Sequence, residues 1–321
     1  MKKFIQFIVI SVFFTFLCNA DAIDDFLKYP EKTTSYYGGG AKTELLEKVR
    51  EFSGNPADYL KLFDNFDGYK NHALTSEEKN LFEEYYSYLP EKLQHVVSEN
   101  VYAIYFVDGM WYGAMTDFIF DEDKKTWCVM YLNPDTFHHS LDEWLTYRDN
   151  TIFKNTDENN CVRVETGSNQ LAFMQMFMHE AVHVFDYINC ITPYQFDSNK
   201  PYDSSNIFYS VWKNKNQPLK KYMNKKFEKT AFYEYGTKIP VKSGKEIIEY
   251  LEKTPFCTLY AATNWMDDFA EEVTFYYLCK KFGINYKLSF VKNGKVDAIY
   301  SYKDNQNARL YDGLCKEITG L

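Results

Sequence analysis

From residue 75 onward, apolar and polar positions alternate in a small number of recognisable ways. TSEEKNLFEEYYSYL opens with Thr75 and Ser76 followed by glutamates, the pattern of a capped helix start. LPEKLQHVVSEN predicts a second helix with Pro90 in its first turn. VYAIYFVDG, YGAMTDFIFD and TWCVMYLNPD are β-rich runs separated by turn residues such as Asp108-Gly109 and DEDKK, and they predict strands of one mixed or antiparallel sheet. Residues 171–188 are apolar all round, contain no Gly or Pro and are too long for a strand, so they predict a helix buried on nearly all sides. WMDDFAEEVTFYYLCKKFG predicts another long helix, stopped by Gly283, and YKLSFVKNGKVDAIYSY a hairpin turning at Asn293-Gly294. KKYMNKKFEK, GKEIIEYLEK and NARLYDGLCKEI predict shorter helices. Before residue 75, TELLEKVREF has helical spacing, and GGG at 38–40 and NPAD at 55–58 punctuate it. The pattern is therefore α+β: a helical segment over 23–74, then one domain over 75–321 with a sheet and two buried helices.

Charge and composition narrow the class. The chain has 321 residues, a net charge of −9 and no long Lys/Arg tract, which argues against a nucleic-acid partner. The start, MKKFIQFIVISVFFTFLCNADAID, has the Lys2-Lys3 n-region, the Phe4–Leu17 apolar h-region and the small Ala20 and Ala22 of an export signal, read over residues 1–22. No other stretch is long and apolar enough to cross a membrane. The expected product is an exported protein, periplasmic or secreted. Cys128, Cys161, Cys190, Cys257, Cys279 and Cys315 remain after the signal, and an even number of cysteines in an oxidising compartment predicts disulfides.

Chemistry interrupts the most apolar helix. In LAFMQMFMHEAVHVFDYIN, His179 and His183 stand four residues apart and so share a helix face. HExxH is the arrangement in which two imidazoles bind Zn²⁺ and the intervening carboxylate, here Glu180, takes a proton from the metal's water. Burying three ionisable groups on such a helix is costly unless they are paired or hold a metal. A catalytic zinc needs a third protein ligand. On the second long helix Asp267 and Glu271 are four apart, as are Asp268 and Glu272, and Met266, Phe269, Ala270, Val273 and Tyr277 form the expected core stripe. One carboxylate of a pair can ligate while the other accepts the free N–H of a ligand imidazole. Spacing alone leaves Asp267, Asp268 and Glu271 open as the ligand. Vicinal His138 and His139 point apart and are expected at a loop or boundary.

HEAVHVFDY (179–187) and YAATNWMDDFAEEV (260–273) together resemble the lethal-factor-like gluzincin metallopeptidases. The resemblance implies a zincin-like catalytic domain with one zinc per chain, held by His179, His183 and Asp267. It implies Glu180 as general base, Tyr260 as hydrogen-bond donor to the tetrahedral intermediate, Glu271 as the carboxylate behind a ligand, and Asp186 as a matching acidic residue after the second histidine. Thr263 and Asn264 match the family's Thr-Asn. Asp267 departs from the family's Glu and is one methylene shorter, and the insert between the helices is longer. The implied substrate is a peptide or protein, bound along an edge strand supplied by YGAMTDFIFD or TWCVMYLNPD. Two other readings share these residues: a secreted binding protein on a peptidase scaffold, and a zinc hydrolase of a non-peptide amide.

Overall fold

Four strands carry the main sheet of the computed structural model, which describes residues 20–193, 206–228, 230–233 and 236–321. They are β1 (Lys70–Asn71), β2 (Val101–Asp108), β3 (Ala114–Phe120) and β4 (Thr126–Leu132), in the order β1-β2-β4-β3. β2 and β4 are parallel, and the other two pairings are antiparallel, so the sheet is mixed. The two parallel strands are almost entirely buried, as strands covered on both faces must be. Because β4 slots between β2 and β3, β3 is left at the edge.

One face of the sheet is covered by helices. α4 (Ser76–Tyr88) starts at a complete capping box of Thr75 and Glu78, and α5 (Glu91–Asn100) follows directly, with Pro90 at its N-cap. α7 (Ala172–Asn189) lies across β3 and β4, and Phe82, Phe106, Phe173 and Phe177 interlock between these layers. The other face carries an aromatic layer of Tyr37, Phe52, Tyr69, Tyr105 and Tyr131, with Tyr105 and Tyr131 stacked at 5.3 Å.

That second layer is built by the N-terminal segment, which holds α1 (Ala20–Phe26), α2 (Thr34–Tyr37) and α3 (Asn55–Asp64). Of the expected signal, residues 1–19 lie outside the described residues. TELLEKVREF is not a helix. It makes a single 3-10 turn at Leu45–Lys48 and then runs extended, with Val49 bridging Ile104. Tertiary bonds override the local spacing. The buried Lys48 ammonium donates to the Val101 carbonyl at 2.8 Å, the Arg50 N–H to Ile104 at 2.9 Å and the Arg50 guanidinium to Tyr102 at 2.8 Å. Residues 49–50 and then β1 thus close the free edge of β2.

The second half packs around α9 (Trp265–Phe282), which ends at Gly283 with φ 73°, a left-handed position suited to glycine. α10 (Asp312–Thr319) packs against it, α6 (Leu141–Asn150), capped by a Ser140/Glu143 box, reaches it through Arg148, and α8 (Gly244–Glu252) lies on the C-terminal hairpin. The expected hairpin forms β10 (Lys287–Lys292) and β11 (Lys295–Ser301), turning at Asn293 and Gly294, both with positive φ. β6 (Cys161–Glu165) pairs with β10 to complete a three-stranded antiparallel sheet. Two small ribbons, β5 (Phe153–Lys154) with β9 (Ile239–Pro240) and β7 (Trp212–Asn214) with β8 (Gln217–Pro218), fill the connections. KKYMNKKFEK yields only a 3-10 turn at Lys220–Tyr222, because the Asn224 side chain accepts the Lys226 N–H and diverts the backbone.

The cysteines depart from expectation. Cys128, Cys161, Cys257, Cys279 and Cys315 are free thiols. Cys128 on β4, Cys257 in the connection after α8 and Cys315 on α10 are fully buried, where they pack as small apolar side chains.

α9 is buried almost all round, and its acids are part of the core. Asp268 Oδ2 accepts from Trp212 Nε1 at 2.8 Å and from the Tyr311 hydroxyl at 2.9 Å, and Glu272 Oε1 accepts from the Tyr302 hydroxyl at 2.8 Å. Burial pushes Asp268 up to about 7 and Glu272 up to about 8. The folded chain therefore holds a proton on Glu272 from about pH 4.5 to about pH 8 that the unfolded chain releases, so stability falls as pH rises through that window. Urea midpoints of the wild type should drop between about pH 5 and about pH 8.5, and Glu272→Gln should flatten the drop. Equal slopes in the two proteins would show that Glu272 is not neutral in the core.

Candidate metal centre

The crossing of α7 and α9 brings the sequence-predicted residues together. Both imidazoles leave the same face of α7, and Asp267 leaves the first turn of α9 opposite them. His179 Nε2 and His183 Nε2 are 3.1 Å apart, and Asp267 Oδ1 is 3.6 Å from the first and 3.4 Å from the second. A tetrahedral ion bound at 2.0–2.1 Å needs donors roughly 3.3–3.4 Å apart, so these three atoms already form one face of such a site. His179 and His183 also form a buried group with Glu180, their ligand atoms all within 4.8 Å, that could hold a metal ion. Of the two carboxylates, Asp267 is the better placed. Glu180 Oε2 is turned away to accept from the Thr116 hydroxyl at 2.6 Å.

Asp267 is aimed by its own helix start. The Asn264 side-chain carbonyl caps α9 by accepting from the N–H groups of Met266 and Asp267, while its amide donates to Asp267 Oδ2 at 2.6 Å. The Thr263 hydroxyl donates to the same oxygen at 3.0 Å. Oδ2 is therefore occupied and Oδ1 faces the imidazoles. Burial would raise the Asp267 pKa, but the two imidazoles outweigh it and hold the carboxyl far below its ordinary range. Burial likewise opposes charge on His179, yet Asp267 and Glu271, with Glu180 nearby, hold its pKa up at about 10. A metal entering the site has to displace that proton.

Behind His179 sits Glu271, fully buried. Its Oε1 is 3.1 Å from His179 Nδ1, a contact off the axis of a straight hydrogen bond. The carboxylate is fixed by Arg148 Nη1 at 3.1 Å to both oxygens, Gln175 Nε2 at 3.0 Å and the Thr258 hydroxyl at 2.5 Å. Burial raises its pKa and the Arg148 charge more than offsets this, so Glu271 stays ionised. Arg148 is itself tied to Asp149, which accepts from the Tyr286 hydroxyl at 2.5 Å.

Tyr260 stands on the 3-10 turn before α9, its ring 5.8 Å from that of His179 and 5.0 Å from the Arg148 guanidinium. It lines a recess of ≈ 40 Å³ with Gly113, Ala114, Arg148, Tyr233 and Glu180. Burial pushes its hydroxyl well above the ordinary tyrosine value, so it stays protonated and able to donate. Asp186 is not a partner of the site imidazole. Its two oxygens accept from the backbone N–H and hydroxyl of Thr192, each at 2.7 Å, closing the end of α7, and among the described residues His183 Nδ1 is buried without a hydrogen-bond partner. His138 reaches the buried Glu78, which also accepts from His72, both at 3.1 Å, outside this site.

Four residues that complete the arrangement are absent from the sequence-based reading: Thr116, Arg148, Gln175 and Thr258. The Ser140-x-x-Glu143 capping signature marks the helix that carries Arg148 and was the available signal for it. No protein-family model, curated protein or solved structure matches the chain.

Arg148→Met leaves Glu271 buried without its charge partner. It should cost about 3–5 kcal/mol of stability, as broken buried pairs do, and weaken metal affinity about 10–100-fold, as lost supports of a ligand do. Denaturant titration and metal competition on one preparation measure both. Unchanged metal affinity would show that the Glu271 network does not act on His179.

Proposed function

We propose that this chain is an exported zinc metallopeptidase. The observation that carries the reading is the near-tetrahedral face of His179 Nε2, His183 Nε2 and Asp267 Oδ1 beside a carboxylate that is held but not consumed. Two imidazoles and a carboxylate are a zinc donor set with a position left for water or substrate. The resemblance to lethal-factor-like gluzincins supports the same assignment. No helix among the described residues is long and apolar enough to cross a membrane.

Zinc, when bound, supplies an acidified water and a positive charge that polarises a carbonyl. The protein's part follows from its own atoms. Glu180 is pinned through Oε2 by Thr116, which leaves Oε1 to take a proton and pass it to the leaving amine. Tyr260, kept protonated, donates a hydrogen bond where negative charge develops on the carbonyl oxygen. Glu271, fixed by Arg148, sets a negative charge 3.1 Å from His179 Nδ1 and compensates the charge of that imidazole. β3, at the edge of the sheet, lies against α7 where an extended peptide can add as a strand.

The mature protein should bind about one zinc per chain, and His183→Ala should remove it. Glu180→Gln should keep zinc content and melting temperature while lowering peptide cleavage at least about 10²–10⁴-fold. Metal analysis, thermal melting and digestion of a peptide library on the same preparations test this. Equal cleavage by wild type and Glu180→Gln would overturn the mechanism, and full zinc retention in His183→Ala would overturn the site.

A further inference from the structure

Beyond the metal centre, a groove of ≈ 520 Å³ runs along β3, within the roughly 300–1,000 Å³ typical of ligand sites. Phe63, Met115, Phe118, Tyr187, Trp265 and Met266 line it. Three of its lining residues adjoin the metal centre. Thr116, in its floor, donates to Glu180; Met266 precedes Asp267; and the Tyr187 ring stacks against that of His183 with centroids 6.3 Å apart.

Three charged side chains line the groove: Asp117 and Lys32, which pair in its floor, and the exposed Lys215. Asp117 is held by Lys32 at 2.5 and 2.6 Å and by the Tyr59 hydroxyl at 2.7 Å, and the Lys32 ammonium lies 4.3 Å over the Phe118 ring. A carboxylate bound there would meet Asp117, and an ammonium would meet Lys32, so the floor favours an uncharged occupant. Among the described residues the outer edge of β3 makes a β-bridge only at its far end, between Phe120 and Thr33.

From these features we infer that the groove recognises one large apolar side chain, aromatic or long aliphatic, on an extended peptide lying along β3. This rests on the peptidase reading above and adds the substrate class. Direction follows from the strand. A peptide pairing antiparallel, the commoner arrangement, runs from the Phe118 end toward Ala114. Its large side chain then precedes the bond at Glu180, and the residue after that bond meets the ≈ 40 Å³ recess beside Tyr260. The second wall, Phe63 with Phe26 and Tyr59, comes from the N-terminal segment, so that segment takes part in selecting substrate.

Binding can be read without turnover by using the zinc-loaded Glu180→Gln protein. Calorimetric titration with acetyl-Ala-Ala-Phe-Ala-Ala-Ala-amide should give at least about tenfold tighter binding than with the all-alanine hexapeptide, the scale expected for burying one phenyl ring. Met115→Trp, which fills the groove, and Phe63→Ala, which removes a wall, should each reduce that preference with zinc content and melting temperature retained. Equal affinity for the two peptides, no binding of either, or a preference unmoved by both substitutions would overturn the inference. Wild-type protein should cut the Phe peptide on the carboxyl side of Phe, and cuts placing Phe after the bond would overturn the direction. Selective binding by the Gln variant with no cleavage by the wild type would leave the groove standing and count against the peptidase reading alone.

Discussion

A buried carboxylate that must stay charged governs the architecture of the centre. Glu271 has no solvent to lean on, and Arg148, Gln175 and Thr258 replace it. An ionised group in such surroundings is tolerable only when paired and hydrogen-bonded throughout. The pairing joins residues 123 positions apart, so α6 and α9 must both be docked before His179 has its support. Arg148 also lies under Tyr260. One guanidinium therefore links the orientation of an imidazole, the charge behind it and the placement of a phenol.

The neighbouring acids show how environment divides four carboxyls on one helix. Asp267 and Glu271 face cations and are held ionised, while Asp268 and Glu272 face phenols and an indole and are pushed toward neutrality. The alternation matches the helix period: residues four apart share a face and a fate. This is why Asp268, equal to Asp267 on spacing alone, lies on the wrong side of α9 to meet the imidazoles.

What the sequence made legible were the features with a strong period or an unambiguous cap. The three long strands, the apolar helix of the HExxH motif, the helix stopped at Gly283 and the Asn293-Gly294 hairpin all follow local rules that the tertiary structure does not contradict. The site was legible for the same reason, because HExxH and the paired acids are spaced by the helix itself. Failures came where distant partners decide. TELLEKVREF reads as helical until the Val101 carbonyl is known to receive Lys48. Arg148 and Asp149 carry no local signal of burial, and only Glu271 and Tyr286, distant in sequence, enclose them. The thiols of Cys128, Cys257 and Cys315 read as bridge partners when only their number and compartment are considered, and burial among aromatic neighbours gives them a different use.

The way residues 49–71 lie against β2 bears on how this protein can be processed. A leader meant to be shed after export docks through contacts that its parent can lose and remain folded. Here the segment supplies the hydrogen-bonding partners of a central strand's free edge and the rings that roof the sheet's second face. Cutting it away would bare an unpaired, aromatic-rich strand edge, the kind of surface that recruits other chains into aggregates. Any trimming is thus confined to the residues ahead of this contact, and any control over the proposed activity has to act on an N-terminal segment that stays in place.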